Sequence, residues 1–79
     1  MPRLSPKDRK NPILVELAKK VRTRRHELGL TQEELAEKSN LHVNYIGGIE
    51  RAIRNPSFIS IIVLAKALKI SPQALVPDF

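Results

Sequence analysis

The sequence predicts an all-α fold of five short helices in a chain of 79 residues. Apolar residues recur at intervals of three and four along most of the chain, which is the spacing of one helix face. Capping residues divide the chain into segments of helical length, and no segment alternates apolar and polar residues as a half-buried strand does. A chain of this length holds one compact domain with a modest core.

The first eleven residues are predicted to form a flexible basic arm that precedes the domain at residues 12–79. The arm contains Pro2 and Pro6, several basic residues and few apolar side chains. Burial would not repay the entropy lost on ordering it.

The first helix is predicted over residues 12–28. Asn11 is suited to cap it, and Pro12 fits the first helical position, where the missing N–H costs nothing. Gly29 suits the left-handed position that ends many helices. The apolar stripe of this helix consists of Leu14, Leu17, Ala18, Val21 and Leu28.

A second helix is predicted from Thr31 to about Lys38. Thr31 and Glu34 have the spacing of a capping box, in which each side chain bonds the backbone N–H of the other residue. Ser39-Asn40 then favours a tight turn, and Leu41 is expected to anchor that turn in the core.

The third helix is predicted to start at His42 and to direct Ile46 and Ile49 inward. It ends before Arg54-Asn55-Pro56, since the residue before a proline is disfavoured in a helix. The outward residues are Val43, Asn44, Gly47 and Gly48.

The fourth helix is predicted over residues 57–69, with Ser57 as its cap. Ser71-Pro72 offers a cap and a first-turn proline for a short fifth helix that carries Leu75 and Val76. The expected core residues of the fourth helix are Phe58, Ile61, Ile62, Leu64, Ala65 and Leu68.

The charge favours a polyanionic partner. Fourteen Lys and Arg against eight Asp and Glu give a net charge of +6, which suits nucleic acid, although many solvated surfaces are also basic. Most of the basic residues precede residue 26. Three of these, expected to lie solvated on the first helix, are Arg22, Arg24 and Arg25.

Several classes of protein are disfavoured by composition. The chain has no cysteine, and so neither a disulfide framework nor a thiolate zinc site is available. The apolar run at residues 61–65 is far too short to span a membrane, and a soluble cytoplasmic protein is expected. Two histidines and no paired carboxylates give no basis for acid–base catalysis. Neither an enzymatic activity nor a cofactor, metal or small-molecule ligand is expected.

The second and third helices, joined by a tight turn, have the geometry that places a recognition helix in the major groove of DNA. Ordinary helical hairpins share this pattern. More specific are the segments Gln32-Glu33-Glu34-Leu35-Ala36, Ser39-Asn40-Leu41, Tyr45-Ile46-Gly47-Gly48-Ile49-Glu50-Arg51, Arg54-Asn55-Pro56-Ser57 and Leu64-Ala65-Lys66-Ala67-Leu68.

Through these segments, residues 13–76 resemble the phage Cro and repressor-like (Xre-type) helix-turn-helix family. Within it, the turn and the third helix look most like the controller proteins of restriction-modification systems. The resemblance implies a five-helix, lambda-repressor-like domain that regulates transcription. It also implies a homodimer on double-stranded palindromic DNA, with half-sites about 34 Å apart.

The resemblance and the third helix's geometry together suggest base contacts. Asn44 is expected to bond a base edge, with adenine the geometric preference of an amide. Val43 contacts a thymine methyl or simply packs at the helix start. Gly47 and Gly48 either allow close approach of the backbone to the groove or are tolerated without a function. Each lowers helix stability by about 0.5–1 kcal/mol relative to alanine.

Contacts with the DNA backbone are expected around the same helix. Gln32 is expected to hold a phosphate together with free helix N–H groups, unless it is simply solvated. Tyr45 covers the core edge, bonds a phosphate or does both. The other expected backbone contacts are His42, which is also a candidate helix cap, and Arg51, Arg54 and Asn55. The basic arm either follows the minor groove or only accelerates encounter.

A dimer interface is predicted at the C-terminal end of the chain. Ile59 and Val63 are spaced i to i+4 and extend the apolar surface of the fourth helix beyond a single stripe. The expected patch comprises Ile59, Val63, Leu75, Val76 and Phe79. The alternative is that the fifth helix or the C-terminal tail covers this patch within one chain.

Two other functions fit parts of the pattern. An antitoxin-like module of a toxin-antitoxin pair would use the same fold to bind a protein, although the chain is short for a separate toxin-binding segment. A membrane-surface helix is disfavoured, because the core needs the apolar stripe of the first helix. The operator sequence, the regulated genes and the sign of regulation are not encoded in these patterns.

Overall fold

The computed structural model describes residues 11–78 of the chain. Residues 1–10, which make up most of the predicted arm, and Phe79 lie outside the described residues. The five helices are α1 (Pro12–Glu27), α2 (Gln32–Ser39), α3 (Val43–Glu50), α4 (Phe58–Ala67) and α5 (Pro72–Leu75). The all-α prediction is confirmed for these residues. The predicted helix boundaries agree within two residues, except that α3 ends at Glu50, earlier than the Arg54-Asn55-Pro56 break that was expected to end it.

The predicted helix caps form at four of the five helix starts. Asn11 Oδ1 accepts a hydrogen bond from the Ile13 N–H at 2.8 Å. The capping box of α2 is complete, with Thr31 Oγ1 accepting from the Glu34 N–H at 3.0 Å and Glu34 Oε1 from the Thr31 N–H at 2.8 Å. His42 and Ser57 cap α3 and α4. Ser71 occupies the N-cap position of α5 ahead of Pro72, as predicted, but its side chain makes no capping hydrogen bond.

The turn between α2 and α3 takes the shape that the sequence predicts. Asn40 adopts the left-handed conformation with φ of 59°, which asparagine tolerates better than most residues. The Leu41 N–H then donates to the Ala36 carbonyl at 3.1 Å. Leu41 packs against the core and fixes the angle at which α3 leaves the turn.

The core lies where all five helices meet. α3 packs against both α1 and α2, while α4 packs against α2 and α5. The buried cluster consists of Leu17, Val21, Leu35, Ala36, Ile46, Ile49, Leu64, Ala65, Leu68 and Leu75. The recognition-helix candidate is therefore held from two sides by apolar contacts.

Two expectations about α4 are wrong. Phe58 and Ile62, expected in the core, are 79% and 37% exposed. The side of α4 that faces the core carries Leu64 and Ala65, and its C-cap Leu68 and Leu75 of α5 are also fully buried. Leu75 therefore cannot lie on an outer interface, as the sequence suggested, and the exposed apolar face is shifted toward the start of α4.

Arg24 was expected to be solvated, and this too is wrong. Its Nε donates to the Leu68 carbonyl at 2.9 Å, and its Nη2 lies 3.4 Å from the Lys69 carbonyl. These carbonyls belong to the C-terminal end of α4, where helix geometry leaves acceptors unpaired and favours a cation. Arg24 thereby joins α1 to the end of α4.

Glu34 makes the stability of α2 dependent on pH. Its hydrogen bonds with the backbone and side chain of Thr31 hold the pKa of Glu34 below the ordinary glutamate value. A lowered pKa in the folded state contributes stability above the unfolded value, about 4.3, which is lost as the pH falls through the folded value.

We therefore expect the stability advantage of the wild type over a Glu34→Gln variant to shrink on acidification. Glutamine keeps an acceptor at this position but does not titrate in this range. Urea unfolding of both proteins at several pH values between about 6 and 2 measures the difference. A difference that stays constant over this range would contradict the role of the charged carboxylate.

Candidate nucleic-acid interface

The N-terminal end of α3 presents a small polar surface. Asn44 is exposed, while Val43 is half-buried and packs against the core. His42 Nδ1 accepts a hydrogen bond from the Asn44 N–H at 3.0 Å and so acts as the cap of α3. Asn44 is thus the most accessible hydrogen-bonding side chain in the first turn of this helix, and Val43 has packing as one of its roles.

A buried ion pair joins the last residue of α3 to α1. Arg25 of α1 donates from Nε to Glu50 Oε2 at 2.7 Å and from Nη2 to Glu50 Oε1 at 2.9 Å. The two side chains are only 11% and 2% exposed. Hydrogen bonding to Glu50 raises the pKa of Arg25 and outweighs the effect of burial. Bidentate geometry of this kind is the strongest pairing between these residue types.

The same ion pair connects three other parts of the chain. Arg25 Nη1 donates to the Leu30 carbonyl at 2.8 Å, in the turn before α2. Arg22 donates to the Glu50 backbone carbonyl at the end of α3. Gln32 Nε2, in the first turn of α2, donates to Glu50 Oε1 at 3.1 Å. The ends of α1, α2 and α3 are therefore linked through one carboxylate and its backbone.

Gln32 is half-buried at the N-terminal end of α2, where its amide is held by Glu50. This bond uses one N–H of the Gln32 amide and leaves its second N–H and its oxygen for another partner. The backbone N–H groups of Gln32 and Glu33 have no partner within the helix, while that of Glu34 donates to Thr31. Gln32 is thus oriented at a helix end whose dipole favours an anion.

The expectation that Gly47 and Gly48 lie open on the outer face of α3 is wrong. Both glycines are buried, and side chains from the following segment cover them. A Cβ built on Gly47 would lie 3.0 Å from Nη1 of Arg51. A Cβ built on Gly48 would overlap Cγ of Arg54. Arginine side chains, rather than open space, occupy the positions that these glycines leave free.

Tyr45 is bonded to the start of α4. Its hydroxyl donates to Ser60 Oγ at 3.1 Å and accepts from the Ser57 N–H at 3.2 Å. The guanidinium carbon of Arg54 lies 5.9 Å from the centroid of the Tyr45 ring. Because both hydrogen bonds lie within the chain, this hydroxyl is already occupied, and its part is to fix the loop between α3 and α4.

The loop after α3 carries exposed cationic and polar groups. Arg51, Arg54 and Asn55 are all exposed. The only acidic residue of α3, Glu50, is paired with Arg25. This end of α3 therefore presents positive charge without an exposed carboxylate from the helix itself.

The described residues 11–78 contain no cluster of three or more histidine, cysteine, aspartate or glutamate residues that could hold a metal ion. No helix among them is long and apolar enough to cross a membrane. A groove of about 750 Å³ runs between α4 and α5 and is lined mostly by apolar side chains.

Sequence reasoning missed the roles of Arg25 and Arg22, which were expected to be solvated. A signal for Arg25 was present, since it falls on the apolar stripe of α1, four residues after Val21 and three before Leu28. A charged residue on such a stripe needs a buried partner. Glu50, next to the inward Ile49, is the matching position, but only the fold brings the two together.

Comparison with known proteins gives consistent matches. Residues 19–75 match the family model described as Helix-turn-helix. Control protein C.SmaI of Serratia marcescens is 49% identical over 59 residues, which are 75% of this chain and 70% of that protein.

Solved structures give the same result. The restriction-modification controller protein C.AhdI from Aeromonas hydrophila has a TM-score of 0.77 at 45% identity, covering 78% of this chain and 94% of that one. The controller protein C.Esp1396I, solved as a tetramer with its natural 35 base-pair operator, has a TM-score of 0.77 at 38% identity, covering 84% and 87%.

The buried ion pair predicts a large difference between single and paired substitutions. Glu50→Gln leaves the Arg25 charge buried without its partner and is expected to lower the free energy of unfolding by about 3 kcal/mol. Replacing both residues, as Arg25→Met with Glu50→Leu, is expected to cost less than Glu50→Gln alone. Denaturant unfolding measures these values.

The Arg24–Glu27 pair, at 3.2 Å, is much less buried, with side chains 29% and 57% exposed, and provides the control. Glu27→Gln is expected to change the free energy of unfolding by less than about 1 kcal/mol. If Glu50→Gln had an effect as small as this control, the ion pair would not have the structural role described.

Proposed function

Since the chain belongs to the helix-turn-helix family and has restriction-modification controller proteins among its relatives, we propose that it is a sequence-specific DNA-binding regulator of transcription. It binds a palindromic operator as a homodimer and has no catalytic activity. The observation that carries the proposal is the arrangement of α3, with a polar first turn exposed and its far end fixed by the Arg25–Glu50 ion pair.

Base recognition is assigned to the first turn of α3. Residues at the N-terminal end of a recognition helix reach base edges in the major groove. Asn44 is exposed and carries both a donor and an acceptor, which suits the paired donor and acceptor of adenine. Val43 is half-buried, and the part of its side chain that remains accessible suits a thymine methyl.

Phosphate contacts are assigned to residues at both ends of this helix. Near its C-terminal end, Gln32 is oriented by Glu50 at the start of α2, and its Oε1 lies on the same side of Gly47 as the Arg51 side chain. The exposed Arg51, Arg54 and Asn55 follow α3. His42 lies at the start of α3. Such contacts fix the register of a protein on DNA and make its affinity depend on salt.

Dimerisation is assigned to the exposed apolar face of α4 together with the groove beside α5. Phe58 and Ile59 are 79% and 70% exposed, and Val76 is 54% exposed. Exposed large apolar side chains that cluster in this way are typical of an interface. A two-fold dimer would bury the same face of each chain and carry two copies of α3. Val63 is only half-buried and borders this face.

We expect Asn44→Ala to reduce the preference for operator DNA while leaving the fold intact. Loss of one paired base contact lowers discrimination by about 1–3 kcal/mol, or roughly tenfold to a hundredfold. Titration of DNA from upstream of the gene, with and without unrelated competitor, measures this preference. Thr23→Ala, an exposed polar change on α1, is the control and is expected to bind as the wild type does.

The outcome that would contradict the base contact is an Asn44→Ala protein with unchanged preference for the operator. A wild-type protein that shows no preference over competitor at low salt would contradict the proposed function itself. In that case binding to a partner protein, as by an antitoxin, would become the leading explanation for the exposed apolar face.

We expect the double substitution Ile59→Lys with Ile62→Glu to give a folded monomer of 8.9 kDa, in place of a dimer of twice that mass. Both side chains are exposed in the single chain, so that the change leaves the core unaltered. Light scattering after size exclusion gives the mass. Ile53→Lys, at an exposed isoleucine outside this face, is the control that should stay dimeric. A double variant that remains a dimer would place the interface elsewhere.

A further inference from the structure

The backbone of Gly48 is covered by the side chain of Arg54. A Cβ on Gly48 would lie 3.4 Å from Arg54 Cβ and 3.6 Å from its Cδ, and it would overlap Cγ. The overlapping atom belongs to the stem of the side chain, near the backbone, and cannot move aside without changing the rotamer of Arg54. Glycine is the residue that leaves room for this stem.

The chain reversal after α3 brings Arg54 back over the helix. The Ile53 N–H donates to the Gly48 carbonyl at 3.0 Å, and the Ala52 N–H donates to the Ile49 carbonyl at 3.0 Å. Ala52 adopts the left-handed conformation, with φ of 61°, which is costly for alanine. The backbone between α3 and Arg54 is therefore held by hydrogen bonds, which fix the position of the Arg54 backbone relative to α3.

Beyond Gly48, the guanidinium of Arg54 reaches the Tyr45 ring, with 5.9 Å between Cζ and the ring centroid. Tyr45 and Gly48 are three residues apart and so lie on the same face of α3. The ring is itself fixed, because its hydroxyl bonds both Ser57 and Ser60. The stem of Arg54 and its charged end thus have separate contacts on one helix face.

Gly47 differs from Gly48 in this respect. A Cβ on Gly47 would lie 3.0 Å from Arg51 Nη1, at the far end of a flexible and exposed side chain. A shift of a few tenths of an ångström at that end would relieve the contact. Alanine at position 47 is therefore compatible with the observed position of Arg51. Alanine at position 48 is incompatible with the observed position of Arg54.

We propose that Gly48 is a positioning residue for Arg54, and that its function is to hold the Arg54 guanidinium over Tyr45 at the edge of the recognition helix. The inference rests on the proposed function, because it assigns the positioned charge to the DNA backbone. Gly48 then affects DNA affinity through Arg54. It does not act by letting the helix backbone approach the groove.

The two explanations for Gly48 differ in a double-mutant cycle of Gly48→Ala and Arg54→Ala, with Gly47→Ala as the matched control. If Gly48 acts through Arg54, each single change weakens operator binding by a similar factor, about tenfold for a lost charged contact. The double variant then binds no worse than Arg54→Ala alone. Gly47→Ala binds nearly as the wild type does.

A second readout uses the protein without DNA. Tyr45 is the only tyrosine, and the chain has no tryptophan, so NOEs between the Tyr45 ring protons and the Arg54 side chain identify this contact and separate it from shifts caused by the phenylalanine and histidine rings. In NMR spectra, the Arg54 side-chain protons are expected to show ring-current shifts in the wild type and in Gly47→Ala. These shifts should be lost in Gly48→Ala, while the resonances of the core stay in place.

Two results would overturn the proposal. One is a Gly48→Ala protein that keeps the Arg54 shifts. The other is a double variant that loses the full factor of both single changes, as a close backbone approach would require. If Gly48→Ala does not fold, the proposal requires that the double variant folds, and failure of both would overturn it as well.

Failure of the proposed function can be distinguished from failure of the Arg54 positioning. A wild-type protein without preference for the operator would contradict both the proposed function and the assignment of Arg54 to DNA. The NMR shifts of the free protein would still show whether Gly48 positions Arg54. A failure of the positioning alone would leave operator binding by the wild type intact.

Discussion

The bidentate pair between Arg25 and Glu50 is the interaction on which the arrangement of the first three helices depends. Its two side chains are almost fully removed from water, and such a pair tolerates little displacement, because a buried charge without its partner is strongly destabilising. The pair also bonds Gln32 at the start of α2, and Arg25 bonds the turn before it. Apolar packing alone leaves the axial position of a helix less strictly defined than these directional bonds do. The ion pair thus sets both the position of α3 and the orientation of a neighbouring phosphate-binding candidate.

The outer side of α3 is organised by arginines in a different way. Arg51 and Arg54 fold back over the two glycines of the helix, so that the region expected to be open backbone is covered by cationic side chains. Helix propensity opposes glycine at these positions, and the space that Gly48 provides to the Arg54 side chain is a physical reason for its presence. The stability of α3 therefore comes from its two packed sides and from the ion pair, which leaves its outer surface free to carry polar and charged groups.

The sequence predicts the features that depend on residues close together in the chain, and it does not predict those that depend on residues far apart in it. Caps, turns and helix ends depend on neighbours in the chain, and Asn11, Thr31–Glu34 and Asn40 were all assigned correctly. Partners distant in the chain were not. The bonds of Arg22 and Arg25 to Glu50, and of Arg24 to Leu68, join residues 25 or more apart, and local periodicity contains no information on them. For the same reason Phe58 was assigned to the core and Leu75 to the surface. The apolar pattern of α4 surrounds the helix, and only the packing of α5 decides which side is covered.

The central claim is that two copies of α3 enter successive major grooves on one face of the DNA. Dimethyl sulfate protection of guanine N7 on the bound operator tests it most directly, because N7 lies in the major groove. Two copies of α3 bound in this way would protect two clusters of guanines related by two-fold symmetry, with centres about one helical turn, or roughly 10 base pairs, apart. A single cluster, or a bound complex that leaves the major groove fully reactive, would contradict it.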